Sequence, residues 1–367
     1  MKKIPFFDYP WLFQHDDKQL LQIFERVANN GAFIMQQDLA DFEKKIADFT
    51  GSKYAIGVAN ATDALQLLLK AGGVGIDDEV IFCSHTMIAT ASAIKFTGAI
   101  PVPVEAGADH LIEVEAIENA ITNKTKAIMP TQLNGRVANM DKIIEIAQKH
   151  NLQIYEDSAQ ALGAKYNGQS AGTFGVGGCI SFYPAKVLGC FGDGGMVLCN
   201  DPEIYHKILL MRDHGRGDDG NVTVWGYNSR LDNLQAAILN HFFKDYEKTI
   251  ERRRKIASLY HQRLKDLTTI KLPPAPNHNS SYFDIFQNYE IEAIDRDGLK
   301  QYLANNGVGT LIQWGGKAVH EFKDLGFTQS LPFTEQLMHN SIMLPLNLTI
   351  TDEQVSYVCD CIFNFYR

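Results

Sequence analysis

Lys186 closes the stretch SFYPAK, an apolar run that reads as a short strand ending in a tight turn, and the glycines Gly192, Gly194 and Gly195 follow it. A lysine in that setting points to Schiff-base chemistry, in which an amine captures an aldehyde or ketone. A second stretch, IYEDSAQ, ends the strand over residues 152–156 with Asp157. That places an acid at the carboxyl edge of the same parallel sheet, where such sheets bind their ligands. Together the two residues meet the needs of pyridoxal phosphate: an amine to hold its aldehyde, and a carboxylate to keep its pyridine nitrogen protonated so that the ring accepts electrons. Alone, the lysine reads as a solvated charge and the aspartate as a helix cap. Their pairing is what favours chemistry.

The elements that must position them follow from periodicity. Short β-rich runs, EVIF from 79, AIPVPVE from 99, KAIMP from 126, LQIYED from 152 and CISFY from 179, alternate with stretches of helical period. This βαβ alternation predicts an α/β fold with a largely parallel sheet wrapped by helices, and functional residues at the strands' carboxyl ends. Asp157 falls at one such end and Gln132 follows another. The pattern then changes to a long amphipathic helix over 235–267, carrying the basic cluster Arg252, Arg253, Arg254 and Lys255, which reads as a solvated face. A proline-rich connector, LPPAPNHNSS, leads to QNYEIEA, to DRDGLKQYLANNGVG with an aspartate before its helix and glycine after it, and to a last helix from Thr351. The expected division is a large domain over 1–245 and a small α+β domain over 246–367.

Composition bounds the rest. The 367 residues fit about two domains, and 45% hydrophobic with 21% charged residues is ordinary for a globular chain without a membrane span. Proline and acids interrupt the N-terminus before a signal-peptide apolar region can form, so a cytoplasmic location is expected. A net charge of -9 argues against nucleic-acid binding. Six cysteines without a CxxC pair read as free thiols. Cys359 and Cys361 lack the second ligand pair that a metal site needs, so a helix or core role is expected for them.

The motifs SFYPAK, EDSAQALGA, FGDGGMV, GYNSRLDNLQAAI and ATDALQLLL, in this arrangement, resemble the DegT/DnrJ/EryC1/StrS aminotransferases, which place an amino group on nucleotide-linked keto-sugars. The resemblance runs from the helix before Phe42 to the last strand near Leu344. It implies the aminotransferase type I fold, a large domain with a seven-stranded-type, mostly parallel sheet plus a small C-terminal domain, and pyridoxal 5'-phosphate as cofactor. Lys186 would form the Schiff base and later move the proton; a branch that dehydrates sugars carries histidine there. Asp157 would meet the pyridinium nitrogen. Gln160 resembles the glutamine at the cofactor's phenolate oxygen, with a surface amide as its plain alternative.

The turn Asn60, Ala61, Thr62 and Asp63 opens a helix and so presents free amides to a phosphate. The resemblance gives Thr62 and Asp63 that role, although a threonine there is otherwise an N-cap. Ser181 resembles the serine that shares the phosphate, or is a strand serine facing a neighbour. Asn228 in GYNSR resembles the asparagine lent to the adjacent subunit's cofactor, which implies a homodimer with shared sites. Arg230 is read as a partner of a phosphate or as an interface ion pair. Met87 stands where the pattern T-F-V-A-T has an aromatic residue stacked on the ring; methionine covers a ring face through its polarizable sulfur, and His85 is either a second planar face or a packing residue. In TQLNGR, Gln132 and Asn134 replace a histidine and a tyrosine, which suggests a substrate wall shaped for a different sugar. Tyr183 and His320 fall where relatives contact the sugar nucleotide, and Trp314 either stacks on a ring or holds the two domains together.

The expected reaction moves an amino group from L-glutamate to the third or fourth carbon of a dTDP- or UDP-linked keto-sugar, by ping-pong kinetics. PVPVE from Pro101 resembles members acting on the third carbon. The alternatives are a pyridoxal-phosphate enzyme of amino-acid metabolism on the same fold, and a regulator that keeps the fold without turnover.

Overall fold

The computed structural model describes residues 3–367. Its strands are β1 (Tyr54–Val58), β2 (Glu79–Cys83), β3 (Ile100–Val104), β4 (Thr125–Met129), β5 (Gln153–Asp157), β6 (Lys165–Tyr166), β7 (Gln169–Ser170), β8 (Gly177–Ser181), β9 (Gly195–Cys199), β10 (Ile270–Lys271), β11 (Tyr282–Phe283), β12 (Tyr289–Ala293) and β13 (Ser341–Leu344). Seven of them form the main sheet in the order β1-β9-β8-β5-β4-β2-β3. Neighbours are parallel except at β9, which runs antiparallel to both β1 and β8. The five expected strands are there. β1 and β9 escaped the periodicity because their short runs are buried along nearly their whole length and carry no alternation.

The main sheet is buried on both faces, which gives two cores. One holds Phe42, Ile128, Ile180 and Leu198; the other holds Leu65, Leu68, Phe82 and Tyr155. The helix Ala61–Ala71 buries Ala64, Leu65, Leu67, Leu68 and Leu69, a wide apolar face, and leaves no residue fully exposed, as a helix packed between other elements does. The small sheet β10-β12-β13 is antiparallel and packs with the helices Arg296–Asn305 and Asp352–Phe365 around a third core. Cys359 and Cys361 are buried in that core, and all six cysteines are free thiols.

Two features of the outline depart from the sequence reading. The long helix is two helices, Asn233–Phe242 and Tyr246–Leu264, joined by a tight turn at Phe243–Asp245 where Phe49, Phe243 and Tyr246 stack and wedge. The aromatic cluster redirects the chain. Tyr246 and Ile250 then pack in the large core while Ile256, Tyr260 and Leu264 pack in the third, so the second helix serves both. The chain start also belongs with the C-terminal unit: Ile4 bridges Val308 and is buried in the third core.

The basic cluster is no solvated face. Arg253 is buried and donates to the carbonyls of Phe286 (2.8 Å) and Gln287 (2.6 Å), while Arg252 and Lys255 pair with Asp352. Burial pushes the Arg253 guanidinium down to about 10, and it stays charged at neutral pH.

A buried ionic cluster also ties the small sheet to the loop after β3. His110, in the left-handed region at φ 68°, donates to Glu290 and Glu292 of β12 at 3.0 Å each. Burial alone would lower the His110 imidazole; the two carboxylates raise it to about 9. Burial likewise raises both carboxylates, but His85 and His110 bring Glu290 far below the usual range, and His110 with Lys271 brings Glu292 to about 2. The histidine contribution is therefore complete below its ordinary value near 6.5 and is lost as pH rises through about 9. The carboxylate contribution is complete above about 4.5 and is lost as pH falls toward 2. His110→Gln should lower stability by on the order of 2–3 kcal/mol between pH 5 and 6.5, with the deficit closing toward pH 9. Chemical denaturation of both proteins across that range checks the sign; a deficit that stays constant with pH defeats it.

Candidate active site

The carboxyl ends of β1, β2, β4, β5 and β8 converge on one edge of the sheet. Asp157 ends β5 and is 5% exposed. A buried carboxylate needs donors, and it has three: the Thr90 hydroxyl at 2.6 Å on Oδ2, and the Ala159 amide (3.2 Å) with the Cys179 thiol (3.5 Å) on Oδ1. Its backbone continues the ladder past β4, with Asp157 N to Pro130 O at 3.0 Å and Gln132 N to Asp157 O at 2.8 Å. The acid is fixed in place.

Lys186 lies in the loop after β8, where its amide closes a turn on Tyr183 O at 2.8 Å and Cys190 N returns to Phe182 O at 2.8 Å. At Gly189 an added Cβ would stand 2.8 Å from the carbonyls of both Tyr183 and Pro184, so the loop curls this tightly only around glycine. Burial lowers the Lys186 ammonium, against the opposing pull of Asp157 and the Cys179 sulfur. A lysine lowered in this way has more free amine to offer a carbonyl. The peptide groups on either side of Lys186 are clamped by one side chain: Gln287 accepts from Val187 N and donates to Ala185 O, both at 2.9 Å. Gln160, Ser181 and Lys186 line one small cavity with Ala159 and Gln287. On its other side the lysine loop borders a cavity of about 280 Å³ walled by Tyr9, Trp11 and His15.

The helix Ala61–Ala71 aims its N-terminus at the same edge. Asn60 caps it by accepting from Asp63 N at 2.8 Å, so the Asp63 amide is committed inside the turn. Ala61 and Thr62 precede the first helical bond, from Ala64 N to Asn60 O, and theirs are the amides that point outward. Gly195 underlies this turn: it pairs with Val58 on one side and Ser181 on the other, and a Cβ on it would stand 2.3 Å from the Asn60 carbonyl carbon. The bare glycine lets the helix N-terminus settle on the strand that pairs with Ser181, at a helix end of the kind that takes anions. An amine, a carboxylate and a helix-end cradle with this spacing and burial fit pyridoxal phosphate.

Other candidates lie elsewhere than their patterns suggested. Gln132 is fully buried, donating to Glu156 at 2.7 Å and accepting from Ala138 N at 2.7 Å. It supports the Glu156 carboxylate, which also takes the amides of Gly172 and Phe174, and does not face the cleft. His320 is also fully buried: its Nδ1 meets Ser84 Oγ at 2.7 Å and its Nε2 meets Glu335 at 3.1 Å, so both nitrogens are spent in tying the end of β2 to the C-terminal unit. His85 is 1% exposed, with Nδ1 on His110 O at 3.0 Å, Nε2 3.6 Å from Glu290 and its ring edge-on to Trp314. Trp314 is half-buried and left-handed at φ 46°. Arg230 pairs with Asp213 at 2.6 Å within its own chain. Met87, Tyr183 and Asn228 are exposed.

Thr90, Cys179, Gln287 and Glu290 were missed. Thr86 and Thr90 stand four apart at a helix start, and Glu290 and Glu292 two apart on a strand; those spacings were the available signals. Gln287 gave none, because its partners lie 100 and 102 residues away. Removing it leaves two peptide groups beside Lys186 unpaired. Gln287→Ala should cost about 2–3 kcal/mol of stability and weaken cofactor retention several-fold, read by titrating the apoprotein with pyridoxal phosphate while following visible absorbance. Unchanged retention would remove the clamp from the site.

A sequence profile of the DegT/DnrJ/EryC1/StrS aminotransferase family matches residues 14–363. The chain is similar to a pleiotropic regulatory protein of Geobacillus stearothermophilus, 36% identical with 99% of each chain covered. It is similar to the dTDP-3-amino-3,6-dideoxy-alpha-D-galactopyranose transaminase of Aneurinibacillus thermoaerophilus, 37% identical over 98% of each. It is also similar to the UDP-N-acetyl-3-dehydro-alpha-D-glucosamine 3-aminotransferase of Acidithiobacillus ferrooxidans, 37% identical over 94% of this chain and 93% of that one. Among solved structures, S. venezuelae DesV in complex with a ketimine intermediate has a TM-score of 0.95 at 34% identity, covering 100% of this chain and 99% of that one. An amine and a buried acid on one sheet edge, in a chain matched end to end by these proteins, make it a member of the DegT/DnrJ/EryC1/StrS aminotransferase family and a pyridoxal-phosphate-dependent enzyme.

Proposed function

We propose that this enzyme transfers an amino group from L-glutamate to the third carbon of a nucleotide-linked keto-sugar, with the nucleotide being dTDP or UDP. The observation that carries the reading is the Lys186–Asp157 pairing at the sheet edge in a chain whose relatives from Aneurinibacillus and Acidithiobacillus are named for 3-amino sugars. When bound, pyridoxal phosphate supplies the aldehyde that takes up the amino group and a ring that absorbs the electrons of the broken carbon–hydrogen bond.

The chain's own groups do the rest. Lys186 Nζ, lowered by burial, would hold the cofactor's aldehyde and, once released, is the amine that would carry the substrate proton. Asp157 would hold the ring nitrogen's proton in place, and Gln160 would offer its side-chain amide to the ring oxygen. Thr62, with the outward amides of the helix end, and Ser181 hold the phosphate. Asp63 holds the turn through its capped amide. Met87 covers a ring face, and Tyr183 meets the sugar nucleotide. Asn228, exposed between the anchored Tyr227 and Ser229, serves the cofactor phosphate of a second subunit, so the working form is a homodimer. We assign the enzyme to the cytoplasm, where its nucleotide sugars are made. Among the described residues no helix is long and apolar enough to cross a membrane.

A second reading, a regulator without turnover, is favoured by the name of the Geobacillus relative. One assay separates the two. Purified protein incubated with glutamate and a panel of dTDP- and UDP-keto-sugars should give a new amine, located at the third carbon by NMR; no amination of any sugar, with good activity on a plain 2-oxo acid, would move the enzyme to amino-acid metabolism, and no activity on either would favour the regulator. Lys186→Ala should abolish the visible absorbance of the bound cofactor and reduce turnover by roughly 10³-fold or more. A variant that keeps both defeats the assignment.

A further inference from the structure

Behind Asp157 three buried threonine hydroxyls stand in line. Thr131 Oγ1 is 3.0 Å from Thr86 Oγ1, which is 2.8 Å from Thr90 Oγ1, which is 2.6 Å from Asp157 Oδ2. Thr131 is 5% exposed, Thr86 2% and Thr90 0%. They come from three places: Thr131 follows β4, Thr86 follows β2, and Thr90 lies in the first turn of the helix Ile88–Phe96. Their direction follows from inventory. An ionised carboxylate only accepts, so the single proton of Thr90 goes to Asp157; the Thr86 proton must then go to Thr90, and that of Thr131 to Thr86. Every hydroxyl dipole points toward the acid, and aligned bonds of this kind strengthen one another in a low-dielectric interior.

We propose that this threonine chain is a positioning device that keeps Asp157 Oδ2 fixed and supplied with a donor, so that the carboxylate would accept the N–H of the cofactor's ring nitrogen and leave its proton there. The proposal rests on the reading that Asp157 faces that nitrogen. A carboxylate stabilised by charge-assisted donors holds its charge more readily and competes less for a proton. The Ala159 amide and the Cys179 thiol serve Oδ1, while Oδ2 depends on Thr90. Without the Thr90 hydroxyl the shared proton moves from nitrogen to oxygen, the ring loses its positive charge, and its capacity to take up electrons falls. The same short segment thus does two jobs: Thr86 and Thr90 serve the acid from behind, and Met87 between them is exposed.

The test uses protein reconstituted with pyridoxal phosphate labelled with nitrogen-15 in the ring, whose chemical shift reports protonation directly, together with single-turnover rates with glutamate. Thr90→Val, which keeps the shape and removes the hydroxyl, should move the shift toward the unprotonated value and slow the half-reaction roughly tenfold. Thr86→Val should do the same to a smaller degree, and Thr131→Val less again. Thr90→Ser should retain the wild-type shift. A chain that serves packing alone would affect stability in no such order and leave the ring shift unmoved. Asp157→Asn separates the layers: if it moves the shift and Thr90→Val does not, the threonine proposal is overturned while the acid keeps its role; if Asp157→Asn leaves the shift in place, the underlying reading falls, and the proposal with it. Should Thr90→Val fail to fold, the graded responses of Thr86→Val and Thr131→Val decide, and an unmoved shift in both overturns the proposal.

Discussion

Burying a carboxylate at the end of a central strand is the constraint to which the rest of this molecule answers. An ionised Asp157 at 5% exposure costs several kcal/mol unless donors surround it, and its three donors come from three separate pieces of chain. The Ala159 amide belongs to the loop that follows β5, the Cys179 thiol to β8, and the Thr90 hydroxyl to a helix start beyond β2. Thr131 after β4 then completes the line. The parallel order β8-β5-β4-β2 is what brings these ends side by side, so the topology of the sheet and the electrostatics of the acid are one problem with one solution. β9 stands outside that parallel set and contributes a bare backbone. Its Gly195 lets the helix end at Asn60 sit directly on the strand beside Ser181.

Residues far along the chain brace the lysine loop. Gln287 grips the peptides around Lys186, and the buried Arg253 grips Gln287 in turn through its carbonyl. Asn134, left-handed at φ 56°, gives its amide N–H to Gln160 and its side chain to Glu290, while Gln313 and Asn288 return to its carbonyl. A buried network of this kind is stable only when each member is satisfied. It therefore fixes the small sheet, the lysine loop and the Gln160 amide relative to one another. Rigid support of reacting groups is the property that transamination needs, since proton transfer falls steeply with misplacement.

Legibility in the sequence followed the range of the forces involved. Lys186 and Asp157 could be read because each lies at the end of an apolar strand, a signal contained within a few residues. The helix-end cradle was readable for the same reason, although the Asn60 cap takes the Asp63 amide, a detail that depends on which side chain wins a local competition. The basic run Arg252–Lys255 misled because its partners lie far along the chain, at Phe286, Gln287, Ile350 and Asp352. Gln132 and His320 misled for a related reason. Polar residues beside a cleft look like ligands, but Glu156, Glu335 and Ser84 are acceptors and donors that only the folded chain brings within 3.1 Å of them.

That inward turn bears on where sugar selectivity resides. In TQLNGR, both replacements of the family pattern are consumed by the protein itself: Gln132 holds a buried carboxylate, and Asn134 bridges Gln160 to Glu290. Each carboxamide has its hydrogen-bonding groups occupied, and breaking those bonds to greet a substrate hydroxyl would leave buried groups unpaired, at a cost larger than one new surface bond returns. His85 is buried with Nδ1 on the His110 carbonyl, Nε2 3.6 Å from Glu290 and Trp314 on its edge. The departures from the pattern therefore act inside the protein, Gln132 on Glu156 and Asn134 on Gln160 and on Glu290 of the small sheet. Under the proposed function, direct contact would fall to side chains that the fold leaves exposed, Met87 and Tyr183 of one chain and Asn228 of a second subunit. A flexible thioether and a phenol suit a sugar ring better than a compact amino acid, because both offer broad apolar faces with few fixed hydrogen-bond demands.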